Sequence, residues 1–330
     1  MSMFHRKILR TATSAKTEKV AAPTLSVMQF NVFAHCFRHG ETREEFDVRR
    51  NLNLDYVLAM SPTLCVMEEV DSPDLYATTL SQHGYRYVSD RKNNKEGDHT
   101  CVFYRPECGL DLLNHATYRF KNEDGAEAAQ MALLCRFNFK DTPLLVVAQH
   151  AKAGRLESME SRRIFHSHCL FSELESFFAT DEGKAYQDRV LWVGDMNAGP
   201  HSYNGRYPAR WYTYIMTGKA QPSPEAGSGV DVAVSAAKPH NLKWASAMKT
   251  ALGGVEPETT TCKIKEGKMV SHTIDYILYS EGLFDVNGYV PMPKTEDLAP
   301  TYLPNPQWGS DHLAVYAELA LRNRVLNSAL

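Results

Sequence analysis

Short apolar runs that stop on a polar residue recur along the whole chain. Residues 25–30 end at Asn31, 64–67 at Glu68 and Glu69, 144–148 near His150, and 190–193 at Gly194 and Asp195. Runs of this length, bounded by polar residues and turn formers, read as buried strands. Helical periodicity occupies intervals between them: residues 44–60 carry Phe46, Leu54, Val57 and Leu58 at near-helical spacing, and 157–178 carry Ile164, Leu170, Phe171, Leu174, Phe177 and Phe178. Strands alternating with helices imply an α/β chain. A sheet edge would then present the polar residues together at one mouth.

The remaining punctuation fits one domain. Ser72 is expected to cap a helix with Pro73 in its first turn and Gly84 closing it. Residues 101–104 and 130–139 read as strands, the second joined to 144–148 by a turn at 141–143. Residues 217–239 are rich in Gly, Pro, Ala and Ser and read as a long loop, 241–252 as a short helix, and 273–279 and 313–319 as the last strands. With no internal repeat or hinge-like linker, a single domain over 24–322 is expected, flanked by a basic tail (1–23) and a short C-terminal tail (323–330).

Charge and cysteine usage narrow the function. A net charge of −3 and a pI near 6.5 argue against sequence-independent attachment to nucleic acid, which needs a large cationic field. No apolar run approaches the roughly 18 residues of a membrane span. The 7 cysteines include no C-x-x-C pair and several lie in apolar runs, so they read as small hydrophobes in a reducing compartment. In the first 23 residues Arg6, Lys7, Arg10, Lys16 and Lys19 stand against Glu18. That composition suits a mitochondrial presequence or a disordered basic tail, giving a cytoplasmic or mitochondrial location.

The polar residues suit phosphoester hydrolysis, which needs charge neutralised on phosphoryl oxygens and a deprotonated water held in line. Glu69, Asp311 and the amide oxygen of Asn31 are hard donors for Mg²⁺ or Mn²⁺. Asp195 and Asn197, two apart, would project to one side if their turn stays extended, one taking the proton of a water and the other fixing its position. His312, held by a carboxylate such as Asp275, would stabilise the phosphoryl group or protonate a leaving group, and His150 would bond another phosphoryl oxygen. Singly each has a bland reading: a lone Asp after Gly is usually a turn former and a lone His a satisfied core or surface residue. Their joint occurrence in order weighs against that.

The fragments Met28-Gln-Phe-Asn-Val-Phe-Ala34, Met67-Glu-Glu-Val-Asp71, Gln149-His-Ala-Lys-Ala153, Val193-Gly-Asp-Met-Asn-Ala198, His272-Thr-Ile-Asp-Tyr-Ile-Leu-Tyr-Ser280 and Gly309-Ser-Asp-His-Leu313 resemble the motif series of the endonuclease/exonuclease/phosphatase superfamily. H-A-K-A and Thr259-Thr-Thr-Cys-Lys-Ile-Lys265 are most similar to its branch of nocturnin and the carbon-catabolite-repression deadenylases. The resemblance spans 25–320 and implies a four-layer α/β sandwich, two mixed sheets face to face with helices outside. It implies Asn31, Glu69 and Asp311 at the metal, Asp195 and Asn197 on the attacking water, His150 on the scissile phosphate, and Asp275 orienting His312. Lys152, Arg155 and Lys263 would meet substrate phosphate. Gly154 and Ser271 stand where branch members acting on NADP(H) carry arginines, so the branch implies a nucleotide or an RNA 3′ end without choosing between them. No docking repeat precedes residue 25, and a monomer is expected. The alternatives are a phosphoinositide or sphingomyelin phosphodiesterase, whose W-C-D-R-type segment and membrane hairpin are not seen, and a non-catalytic nucleotide- or RNA-binding module.

Overall fold

The computed structural model describes residues 9–10, 22–94, 97–122, 124–201, 209–221, 239–265 and 267–322. Most of the loop expected at 217–239 and of both tails therefore lies outside the described residues. The strands are β1 (Leu9–Arg10), β2 (Thr24–Asn31), β3 (Leu64–Val70), β4 (Arg86–Arg91), β5 (His99–Tyr104), β6 (Leu110–Lys121), β7 (Glu127–Phe139) and β8 (Thr142–His150). They continue with β9 (Val190–Asp195), β10 (Trp244–Ser246), β11 (Thr261–Lys265), β12 (Lys268–His272), β13 (Asp275–Ser280), β14 (Phe284–Tyr289) and β15 (Val315–Leu321). The helices are α1 (Arg43–Met60), α2 (Pro73–Ser81), α3 (Glu157–Phe178), α4 (Arg210–Thr217), α5 (Ala247–Ala251) and α6 (Thr295–Leu298).

Seven strands form one sheet in the order β1-β14-β15-β2-β3-β5-β4, six form the other as β10-β13-β9-β8-β7-β6, and β11-β12 is a separate hairpin. The sheets pack face to face: Leu25, Val27, Leu64 and Val66 of the first join Leu133, Phe137, Val146, Leu191 and Ile277 of the second in one buried cluster. Alternate residues of the same strands face outward. Met28, Phe30, Cys65 and Met67 pack under Leu54 and Val57 of α1 and Tyr76 and Leu80 of α2. Leu145, Val147, Trp192 and Leu278 pack under Ile164, Leu170 and Phe171 of α3 and Trp211 of α4. Central strands are thus covered on both faces, which is why their sequences are continuous apolar runs. The result is the expected four-layer α/β sandwich.

Several local expectations need correction. Residues 241–252 do not form one helix: the first part is β10, whose Trp244 pairs with Ser280, and only α5 is helical. The 141–143 turn sits one residue earlier, with Lys140 and Asp141 at φ 47° and 64° and Thr142 already in β8. Two positive φ values mark a tight two-residue hairpin loop. Ser72 makes no side-chain cap bond, so Pro73 in the first turn is what starts α2. At α1 a capping box is present: Glu45 N–H donates to Thr42 Oγ1 at 3.2 Å and Thr42 N–H to Glu45 Oε2 at 2.8 Å. The tail is partly docked, since Leu9 pairs with Tyr289 on β14. Among the described residues no helix is long and apolar enough to cross a membrane.

Strand direction gathers the polar ends at one rim. β2 and β3 are parallel, which sets Asn31 beside Glu68, and β8 and β9 are parallel, which sets His150 beside Asp195. β13 runs antiparallel to β9, so its first residue, Asp275, also lies beside Asp195. The segment before β15 completes the rim through a bridge between His312 and Thr261.

Candidate active site

A regular strand would send Glu68 and Glu69 to opposite faces. Here the register of β3 against β5 slips between Met67 and Val70, and Glu69 takes a left-handed φ of 56°. Both carboxyl groups therefore reach the rim. Glu68 Oε2 accepts from Gln29 Nε2 and Glu69 Oε1 from Asn31 Nδ2, each at 2.9 Å. The Asp195–Asn197 turn is not extended: Asn197 has φ 49° and its N–H donates to Asp195 Oδ1 at 2.8 Å, so a side-chain turn locks the pair together.

Asp195 is the hub. Its Oδ2 accepts from Asn31 Nδ2 at 3.0 Å and lies 3.6 Å from His150 Nε2 and 3.9 Å from His312 Nε2. His312 Nδ1 donates to Asp275 Oδ2 at 2.9 Å, and that carboxylate also accepts from Thr260 Oγ1 at 2.6 Å and Gln29 Nε2 at 2.8 Å. Asp275 is thereby fixed from three sides, and with it the imidazole ring of His312. Asp311 pairs with Lys263 through one oxygen, while its Oδ1 is buried with no hydrogen-bond partner.

Charge crowding shifts the acids apart. Burial, then the neighbouring Asp275, pushes Asp195 up to about 7. Burial and Asp311 raise Glu69, and burial with Asp195 and Asp275 raises Glu68 well above the carboxylate range. Burial alone would raise Asp311 too, but the Lys263 ammonium and His312 outweigh it and hold it low. The histidines diverge as well. Burial opposes the charged form of His312, yet Asp275, Asp311 and Asp195 carry it up to about 10, whereas burial and Lys92 push His150 well below its usual value. One imidazolium and one neutral imidazole thus flank the same carboxylate.

These groups line one cavity of about 310 Å³. Glu69, His150, Asp195, Asn197, Asp311, His312, Arg155 and Lys263 all contribute to its wall. Asn31 and Asp275 lie behind it and act through the residues they touch. Lys152 is not among the lining residues, and Arg163 Nη1 donates to the carbonyls of Lys152 at 2.7 Å and Gly154 at 3.0 Å, tying that loop to α3. Three participants carry no role in the sequence reading, although Gln29 and Thr260 stand inside its motifs. Gln29, two residues before Asn31 and on the same strand face, bridges Glu68 and Asp275, and its alternation with Asn31 is a usable signal. Thr260 holds Asp275. Lys92 is 6% exposed, paired with Asp98 at 2.8 Å, and its Nζ lies 2.5 Å from His150 Nδ1. Because an ammonium only donates, His150 Nδ1 accepts and the ring proton sits on Nε2, toward Asp195 and Glu69. A polar stretch such as Lys92-Asn-Asn-Lys95 carries no sequence mark of this role.

The residues fit a hard divalent cation. The Glu69 and Asp195 carboxylates lie within 4.8 Å of each other and of a His150 ring nitrogen, and Asp311 Oδ1 is a buried anionic oxygen without a donor; with His150 Nε2 protonated, the carboxylate oxygens are the donors left for the cation. The raised Glu69 and Asp195 carboxyls are groups whose repulsion a cation would relieve. Asn31 here turns its nitrogen to the carboxylates, its oxygen accepting from Phe33 N–H at 3.0 Å. A cation among them would favour the reversed amide, since it takes oxygen.

Acids and histidines converging at one rim of a two-sheet α/β sandwich suit phosphoester hydrolysis. Residues 28–312 match the Endonuclease/Exonuclease/phosphatase family, and the chain belongs to it. It is 25% identical over 319 residues to nocturnin of Xenopus laevis, covering 90% of this chain and 72% of that protein. With nocturnin of Homo sapiens it is 26% identical, over 90% of this chain and 65% of the relative. Among solved structures, the human nocturnin catalytic domain with bound sulfate superposes with a TM-score of 0.66 at 21% identity, covering 96% of this chain and 97% of that one. ANGEL2, a 2′,3′-cyclic phosphatase, in complex with adenosine-2′,3′-vanadate, gives 0.71 at 17% identity, over 91% and 96% of the two chains.

Proposed function

We propose that this chain is a divalent-metal-dependent hydrolase of nucleotide or RNA 3′-end phosphoesters, acting by in-line attack of water. The observation that carries this reading is the buried arrangement around Asp195, with neutral His150 on one side and charged His312 on the other. Glu69 and Asp311, with Asn31 after its amide turns, would hold Mg²⁺ or Mn²⁺, which when bound neutralises phosphoryl charge and acidifies water. Asp195, raised to about 7, is suited to accept the proton of the attacking water, and Asn197 shares the turn that aims it. As the water oxygen bonds to phosphorus the ester P–O bond breaks, and His312 gives its Nε2 proton to the departing oxygen. His150 Nε2–H donates to a phosphoryl oxygen, and Arg155 and Lys263 supply further positive charge at the wall.

The similar 2′,3′-cyclic phosphatase, held with adenosine-2′,3′-vanadate, supports a substrate with a phosphate at a nucleotide or strand end. A net charge of −3 favours a short substrate over a long RNA. Hydrolysis by the purified protein of NADP(H), short oligo(A) and a nitrophenyl phosphodiester, with Mg²⁺ and with EDTA, tests the reading. Turnover of none of them in Mg²⁺ would count against it. The basic segment before residue 24 suits a mitochondrial or cytoplasmic address, which localisation of a C-terminally tagged full chain decides, and light scattering tests the monomer.

A further inference from the structure

Phe33 is a bulky residue held at φ 58°, a left-handed conformation that glycine or asparagine adopts far more easily. Its backbone explains why the turn is needed. Phe33 N–H donates to Asn31 Oδ1 at 3.0 Å, and Arg49 Nη2 donates to Phe33 O at 3.1 Å, so the turn fixes a site residue. Nothing in those contacts asks for an aromatic side chain. The ring is not in the core either: it is only partly buried and lines the cavity together with Phe37, on the same wall system as Glu69, Asp195 and His312.

The ring is also braced. The Arg49 guanidinium carbon sits 5.1 Å from its centroid, and Arg49 is pinned by Glu41 through contacts of 2.5 and 2.8 Å and by Gly309 O at 2.7 Å. A cation against the ring holds it in place at the cavity wall. A strained backbone that presents a braced aromatic ring beside a phosphoester site is explained by a flat ligand. We propose that Phe33, with Phe37 lining the same cavity, is the nucleobase subsite of this enzyme: the base of the nucleotide bearing the scissile phosphate stacks on the Phe33 ring. This rests on the phosphoester reading for the nature of the substrate and the place of its phosphate, and it adds where the base of that nucleotide sits.

The test reads binding without turnover. A 2-aminopurine riboside whose terminal phosphate is replaced by a methylenephosphonate is titrated, in Mg²⁺, against wild type, Phe33→Tyr and Phe33→Asn, alone and as the 3′-terminal nucleotide of a short RNA. Stacking quenches 2-aminopurine fluorescence. Wild type and Phe33→Tyr are expected to quench it. Phe33→Asn, which accepts the same φ, is expected to lose the quench and to weaken Kd about tenfold, equivalent to ~1.4 kcal/mol. Urea unfolding of Phe33→Asn checks that the fold is retained. Quenching of the free nucleotide analogue assigns the subsite to small nucleotides, and quenching only within the RNA assigns it to strand ends. Equal quenching and Kd in Phe33→Asn, or no quenching by wild type in either form, overturns the proposal. Hydrolysis is assayed separately, so an inactive protein that still stacks the base refutes the catalytic reading and leaves this one standing.

Discussion

Replacing Lys92 by methionine separates what this buried cation does for the fold from what it does for His150. Asp98 is 0% exposed, and without the ammonium 2.8 Å away its carboxylate keeps one side-chain donor, Asn94 Nδ2 at 2.7 Å. Removing one partner of a buried ion pair costs about 3–5 kcal/mol, because the other charge stays desolvated and unpaired. Lys92→Met/Asp98→Asn removes both charges and is expected to recover ~2 kcal/mol or more of that loss in urea unfolding. Activity should not follow stability. Without a donor at Nδ1, the His150 proton is free to move there, and Nε2 then offers a lone pair where a donor is needed. Loss of a hydrogen bond to a charged oxygen corresponds to ~1.5–3 kcal/mol, so kcat should fall about ten- to hundredfold in the single and the double variant alike. If the double variant regained both stability and kcat, Lys92 would be only a structural cation and the assignment of the His150 proton would be wrong.

Gly194→Ala should prevent correct pairing of β8 and β9, because a Cβ there would sit 1.8 Å from the Gln149 carbonyl oxygen; a loss of ~3 kcal/mol or more in urea, or no soluble protein, is expected, and a wild-type unfolding midpoint would contradict the packing described. His166 is 1% exposed, stacked on Phe120 at 4.7 Å, and lowered by burial to about 4. Its unfolded value is about 6.5, so the unfolded chain binds the extra proton: stability is full above pH ~6.5 and declines toward pH ~4, by about 3 kcal/mol from this residue. The slope of unfolding free energy against pH over that window should be shallower in His166→Leu, and identical slopes would show that His166 is not buried neutral.

The central strands were legible because they are covered on both faces, so every residue from Val190 to Val193 is apolar. The edges were not: in β6 only Leu110 and Phe120 are buried, and a strand with two inward residues leaves no pattern to read. The same contrast runs through the site. Asn31, His150, Asp195 and Asp275 were found because they end or begin apolar runs, and parallel or antiparallel pairing does the rest. The bulge at Glu69 is a backbone event without a residue signature, yet it decides that two consecutive glutamates face one rim. Arg163 holds the carbonyls of Lys152 and Gly154, a tertiary contact that the residues beside them in sequence do not announce. Lys92 reaches His150 across 58 residues of chain, a separation no local motif spans.

The most direct test of the account is the Mg²⁺-dependent initial rate of phosphoester hydrolysis by Asp195→Ala beside wild type, on whichever of NADP(H), oligo(A) or the nitrophenyl diester wild type turns over. Loss of the group that takes the water proton should lower kcat by roughly 10²–10⁴ with the fold intact by circular dichroism, and EDTA should stop the wild-type reaction. A wild-type rate in Asp195→Ala, or an EDTA-insensitive reaction, would contradict it.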